Sequence, residues 1–381
     1  MAGLVHVDFN LTNACNLACT HCHSASGKAL PEELTTDEII DVVHQLHAAG
    51  TLSIAFAGGE PFMRRDLLTI LGEACRLDGW RVSVITNGLF FSDGVVARLA
   101  DECPNLGINV SVDGATPDTF SELRTQPNAT PAARAALFRR VTGGVSKAAA
   151  AGLRVSVNTT MTRATMHDLR ATYRLAVEEL GADALVAIKF FPAGFGRRHL
   201  ERYDFPASVW SREFQALTRD KLAGALPRMQ LSLPSAWEFY LPLIEGGFDL
   251  AEAERAWNNR SPLREPAYGR SRSIGDVAGV HELCVSGDGS VYPSILMVGE
   301  KDMLCGSLRH QSLEQLRQSA APLRRLRELR LAEVGGGCSS CDLAGLCGGG
   351  SRSRALAEHG SVTASDDACP LTTPALTEAV R

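Results

Sequence analysis

No stretch of this sequence is apolar for long enough to span a bilayer, which takes about 20 consecutive apolar residues. There is no basic excess either: 38 Lys and Arg stand against 43 Asp and Glu, for a net charge of -5. That composition lacks the electrostatic footprint of a nucleic-acid-binding domain. The N-terminus has no basic start, apolar h-region or cleavage site, so it does not read as a signal peptide. Val5, Val7 and Phe9 alternate with polar residues there, as in a strand. No repeat recurs at a solenoid period. These absences set aside membrane-spanning, secreted, nucleic-acid-binding and solenoid proteins, and predict a cytoplasmic globular one. The hydrophobic fraction of 45% supplies a substantial core rather than wholesale disorder. At 381 residues the chain exceeds one ordinary domain, although single α/β barrels reach a few hundred.

What the chain has in quantity is cysteine. Eleven in a reducing compartment favour metal or cluster ligation over disulfides, and the odd number leaves at least one unpaired. Three of them, Cys15, Cys19 and Cys22, sit at C-x3-C-x2-C within eight residues. Three thiols on so short a loop wrap one corner of a cubane. Fe–S clusters normally take four thiolates, so three leave one iron open, and an open metal position is where a small molecule reacts. A zinc knuckle completed by His21 or His23 is the alternative.

The chain then alternates. Apolar strands are predicted at residues 4–12, 52–57, 81–85, 106–112, 154–160 and 184–191. Helices are predicted at 35–49, 66–76, 93–101, 131–151 and 166–180, the first opened by Thr35 with acids in its first turn. Repeated β then α argues a parallel sheet with helices outside, an open sheet or a barrel. In barrels the chemistry sits at the C-terminal ends of the strands. The suspicious residues fall there: Cys15 to Cys22, Gly58-Gly59-Glu60-Pro61, Asn87, Asp113, Asn158 and Pro192. Beyond residue 193 the pattern changes. Residues 205–226 read as a helix, 232–270 as irregular and pocket-shaping, 279–298 as a hairpin about Gly287-Asp288-Gly289, and 312–330 as one basic amphipathic helix. Cys75 and Cys103 read as core thiols, and Arg197 and Arg198 as a solvated loop.

The Cys15/Cys19/Cys22 triplet followed by Gly58 to Pro61 resembles the radical S-adenosylmethionine enzymes, over roughly residues 4–192. The resemblance implies a partial (β/α)6 TIM barrel. It also implies a [4Fe–4S] cluster on the three cysteines, S-adenosylmethionine chelated at the open iron, and a 5′-deoxyadenosyl radical that takes a substrate hydrogen. By match, Gly59 and Glu60 face the methionine amino group, with Gly58 beside them in the cofactor site. Asn87, Ser111 and Asp113 contact methionine and ribose, Arg124 meets the carboxylate, and Asn158 and Pro192 lie near ribose or adenine. His21 departs from the aromatic ring usual before the third cysteine.

At the other end, Cys338, Cys341, Cys347 and Cys369 supply four thiolates, enough to close a cluster or a structural zinc site. This glycine-rich block resembles the SPASM extension of the same enzymes. Ser294 and Ser351 stand where that extension carries two cysteine ligands of its first auxiliary cluster, and Cys284 and Cys305 alone are a poor set. One auxiliary [4Fe–4S] cluster is therefore expected, on Cys338, Cys341, Cys347 and Cys369. The expected domains are residues 1–205 for the barrel, 206–279 for a linker and substrate-pocket region, and 280–381 for the SPASM-like part.

Residues 11–15 and 23–27 resemble peptide maturases of the mycofactocin kind, which implies modification of a ribosomally made peptide: carbon–carbon, thioether or cyclopropane formation, or epimerisation. A separate recognition protein would deliver the peptide, and a flavodoxin- or ferredoxin-type donor the electron. The serines also resemble the haem-modifying members, so side-chain removal on a tetrapyrrole or another small molecule is the second expectation. A non-catalytic cluster or zinc scaffold is the third. Glu238, Tyr240, Tyr268 and Tyr292 are candidate acids, bases or radical quenchers.

Overall fold

The computed structural model describes residues 4–126 and 129–372. The expected alternation is present. It runs β1 (His6–Thr12), α1 (Thr36–Ala48), β2 (Ser53–Gly58), α2 (Leu67–Cys75), β3 (Arg81–Thr86) and α3 (Asp93–Glu102). It continues through β4 (Gly107–Ser111), α4 (Pro117–Leu123), α5 (Pro131–Ala150), β5 (Arg154–Met161), α6 (Leu169–Arg174) and β6 (Ala184–Lys189). Each strand from β1 to β6 pairs in parallel with the next. Local chemistry sets the helices: Thr35 and Glu38 close a capping box on α1, which satisfies donors otherwise orphaned at a helix start. Val7, Phe9 and Leu11 on β1 meet Phe56 and the apolar stripe of α1 in one continuous core.

Four features were not legible beforehand. At the edge of the segment expected to be irregular, β7 (Met229–Ser232) pairs in parallel with β6, and that segment itself holds three helices, Trp237–Glu245, Leu250–Trp257 and Pro266–Ser271. The expected hairpin, β8 (Glu282–Val285) and β9 (Ser290–Tyr292), does not stand apart: β8 pairs in parallel with β1, His6 opposite Glu282. With β10 (Gly306–Ser307) the order is β10-β9-β8-β1-β2-β3-β4-β5-β6-β7, an open, partial barrel whose sheet runs across the boundary expected at residue 280. The basic helix is two helices, Leu313–Ser319 and Ala321–Glu328, with Ala320 extended between them. Pro322 has no N–H to continue the ladder and crowds the preceding turn, which breaks the helix at that point. The helix expected over 166–180 likewise divides, into a short 3-10 turn, α6 and a π turn. Among the described residues no helix is long and apolar enough to cross a membrane.

Candidate active site

The loop after β1 is tied down at both ends. Cys15 N donates to Gly27 O at 3.0 Å and Ala18 N to Thr125 O at 2.8 Å, while Phe195 N reaches Cys22 O at 2.9 Å. The turn after β2 packs backbone to backbone upon it: a Cβ on Gly59 would lie 2.1 Å from Ala14 O. Only glycine permits that approach.

These elements enclose a cavity of about 640 Å³, within the range of small-molecule sites. Cys15, Cys19 and Cys22 line it together. Gly58, Gly59, Asn87, Ser111, Arg124 and Asn158, all expected from the sequence, line it too. Arg124 is held by Asp113, Nε to Oδ2 at 2.5 Å, and its Nη1 points at Cys19 Sγ at 3.8 Å. Burial works against the Arg124 charge, but Asp113, Cys19 and Cys22 keep its pKa above the ordinary value. Burial pushes the Cys19 thiol up to about 12 and the His21 imidazole down to about 4.

Three expected residues are placed otherwise. Glu60 is 0% exposed and does not line the cavity. Its Oε1 accepts from Thr86 Oγ1 at 2.7 Å and Phe62 N at 3.1 Å, and its Oε2 from Asn87 N at 2.7 Å. It clamps the turn and leaves the ligand side to Gly58 and Gly59. Asp113 is also behind the wall: Oδ1 accepts from Thr160 N at 2.6 Å and Oδ2 from Arg124, so it acts through Arg124. Pro192 is not on the cavity surface, where its predecessors Phe190 and Phe191 stand instead. Both fit an aromatic wall better than a proline one step further along the chain.

Other wall residues carried no motif. Asp8, Lys189, Asp276 and Glu282 reach the cavity because barrel strands and the β8 pairing converge, which no local pattern signals. Burial, with Asp276 and Asp8 nearby, raises Glu282 to about 7 against the hydrogen bond from Ser294. Glu238 is not a free acid or base: it shares its carboxylate between Lys189 at 2.8 Å and Arg354 at 2.9 Å. Tyr240 donates to Glu254 at 2.6 Å and Tyr268 to Ile274 O at 3.1 Å. Cys75 and Cys103 share a hydrogen bond beneath α2 and α3, and Arg197 pairs with Glu300 at 2.5 Å.

Cys338, Cys341, Cys347 and Cys369 surround a second, small cavity, with Asp366, Trp237 and Gly349 in its wall. Cys347 lines both cavities. Among the described residues no three His, Cys, Asp or Glu side chains converge as for one metal ion. The barrel site fits its ligand chemically. Asn158 lines the cavity, and its Oδ1 is buried and has no hydrogen-bond partner. The Arg124 guanidinium sits against a thiol where negative charge would gather.

Together the partial barrel, the three-cysteine loop and the glycine turn define a radical SAM enzyme. Residues 9–176 match the Radical SAM superfamily, so the chain has a radical SAM domain, which uses S-adenosylmethionine and a [4Fe–4S] cluster, followed by a SPASM-like C-terminal part. It is similar to the AdoMet-dependent heme synthase of Methanosarcina barkeri, 26% identical over 95% of each chain. It is also similar to the mycofactocin maturase MftC of Mycobacterium ulcerans, 27% identical over 90% of this chain and 81% of that one. In fold it resembles Streptococcus suis SuiB bound to its precursor peptide SuiA, with a TM-score of 0.74 at 16% identity, covering 97% of this chain and 76% of that one.

Proposed function

We propose that Cys15, Cys19 and Cys22 hold the [4Fe–4S] cluster of the barrel, and that Cys338, Cys341, Cys347 and Cys369 hold one auxiliary [4Fe–4S] cluster. When bound, the barrel cluster supplies the electron that cleaves S-adenosylmethionine and so initiates hydrogen abstraction from the substrate. The bare backbone of Gly58 and Gly59 accepts the methionine amino group. Arg124, aligned by Asp113, takes the carboxylate. Asn87, Ser111 and Asn158 bind the ribose and adenine end. Phe190, Phe191 and Phe239 keep water from the reacting centre. Iron-coordinating sulfurs must be thiolates, so the raised Cys19 pKa means that loading releases protons. One observation supports this assignment above the rest: a single cavity is lined by all three loop cysteines and by Cys347.

The substrate is a ribosomally made peptide, delivered by a separate recognition protein, with electrons from a flavodoxin- or ferredoxin-type donor. Similarity to a mycofactocin maturase over 90% of the chain supports the peptide. A reducing, cytoplasmic setting agrees with eleven cysteines that form no disulfide. A second substrate class, an iron tetrapyrrole, is favoured by the heme synthase that aligns over 95% of both chains.

The test is reconstitution with iron and sulfide, followed by reduction in the presence of S-adenosylmethionine. 5′-Deoxyadenosine should form, with iron content near that of two cubanes, and Cys15→Ala should abolish it. Absence of 5′-deoxyadenosine from the loaded wild type overturns the assignment. Stimulation by a short peptide encoded beside the gene supports the first substrate, and stimulation by iron coproporphyrin III the second.

A further inference from the structure

Arg352 is one of the largest fully buried side chains, 0% exposed. Its guanidinium is bonded to backbone carbonyls: Nη1 donates to Val362 O at 2.8 Å and Ala364 O at 2.7 Å, and Nη2 to Gly349 O. Its Nε has no partner. The nearby carboxylates are committed elsewhere. Asp276 Oδ2 accepts from the backbone N–H of Arg352 at 2.7 Å, not from the guanidinium. Asp366 takes Arg354 on Oδ1 at 2.9 Å, and Ser351 N at 2.8 Å and Trp237 Nε1 at 3.2 Å on Oδ2. Arg354 differs from Arg352 in being paired twice, with Glu238 and Asp366. A buried charge without a counter-ion in contact carries a large desolvation cost. Burial lowers the Arg352 pKa, opposed by attraction from Asp276, Asp366, Cys338 and Cys347.

The position of this cation is informative. Gly349, whose carbonyl it grips, forms part of the wall around Cys338, Cys341, Cys347 and Cys369. A [4Fe–4S] cluster on four thiolates is anionic, and its negative charge grows by one when it gains an electron. Net charge and hydrogen bonding around a cluster set its potential. We propose that Arg352 is the counter-charge of the auxiliary cluster, compensating its four thiolates and raising its reduction potential so that it accepts one electron from the substrate side of the enzyme. This rests on the auxiliary-cluster assignment above. The route in is Cys347, which lines the substrate cavity as well as the cluster cavity.

The experiment uses full-length protein with Cys15, Cys19 and Cys22 changed to Ala, so that only the auxiliary cluster remains. Iron is counted first. About four irons per chain are expected, and none would overturn the cluster assignment itself. The midpoint potential is then measured by electron paramagnetic resonance during redox titration, for that protein and for added Arg352→Gln and Arg352→Lys. The Gln variant should titrate at lower potential and the Lys variant close to the parent. A full iron count in the Gln variant with an unmoved potential overturns the role of Arg352. If the Gln variant loads no cluster, the Lys variant decides. Lys loading with the parent potential supports the counter-charge, whereas Lys losing the cluster too means that the hydrogen bonds of the guanidinium matter rather than its charge. Thermal unfolding gives a second measure. Arg352→Gln should destabilise the loaded protein more than the cluster-free one, and equal losses would count against the proposal.

Discussion

The carboxylate of Glu60 accepts the backbone N–H of Asn87 at 2.7 Å, joining the turn after β2 to the end of β3. Thr86 Oγ1 and Phe62 N occupy its other oxygen. The most conspicuous acid of the glycine turn is therefore a clamp behind the cavity. Glu60→Gln replaces an accepting oxygen with an NH2 group and leaves a buried donor unmatched, a loss of about 1–3 kcal/mol. Denaturant unfolding should register that loss, whereas 5′-deoxyadenosine formation at saturating S-adenosylmethionine should stay within a few-fold of wild type. A collapse of kcat with unchanged stability would mean that the carboxylate touches the ligand.

Asp113 stands in the same relation to Arg124. The pair is almost wholly buried, with Nε 2.5 Å from Oδ2. Removing one partner strands the other charge, and such breaks cost about 3–5 kcal/mol. Asp113→Asn should thus lower stability more than Glu60→Gln, and should raise KM for S-adenosylmethionine because Arg124 is no longer aimed. Asp113→Asn combined with Arg124→Met should recover part of the stability but none of the affinity. Recovery of affinity in the double variant would show that Arg124 does not bind the carboxylate.

Gly59 makes the closest approach between the two catalytic loops. Its Cβ position lies 2.1 Å from Ala14 O and 2.6 Å from Ala14 C, backbone atoms that cannot swing aside. Gly59→Ala should displace the cysteine loop, so the reconstituted protein should bind about four fewer irons than wild type while retaining its auxiliary cluster. Iron and sulfide analysis measures this. Full iron content in the variant would mean that the loop has room to move.

The alternation of strands and helices was legible because burying one face of each element imposes a period. The positions of Cys15, Cys19, Cys22 and Asn87 just past strand ends, and of Asn158 within β5, followed from it. What stayed hidden has two physical sources. The pairing of β8 with β1 joins residues far apart in the chain, such as His6 and Glu282, and no local period encodes a long-range partner. For that reason the lining residues Asp276 and Glu282 could not be foreseen, nor could the Lys189–Glu238–Arg354 ion pairs. The second source is orientation. The motif at Gly58 to Pro61 located the turn correctly but does not say whether backbone or side chain faces the ligand, and Glu60 turned inward to satisfy Phe62, Thr86 and Asn87. β7 was missed because it is four residues long and flanked by Pro227 and Pro234.

Glu282 gives the structure a pH dependence whose sign can be worked out. Its ordinary pKa of 4.5 is raised to about 7 in the folded protein, first by burial and then by Asp276 and Asp8, with Ser294 and His6 acting in the opposite sense. A raised carboxyl pKa means that the folded state binds the proton more tightly than the unfolded state. Between 4.5 and about 7 the native form therefore holds more protons, and stability falls as pH rises. Below that window both states are protonated and the favourable contribution is complete; above it the loss is complete and the slope vanishes. Glu282→Gln has no proton to lose. The variant should match wild type near pH 4.5 and become progressively more stable relative to it as pH rises, the difference levelling off above pH 7. Thermal unfolding of the reconstituted protein at half-unit intervals of pH measures this. A constant difference across the range would mean that Glu282 is already ionised in the fold and that the cavity wall formed by β8 is wetter than its packing against β1 implies.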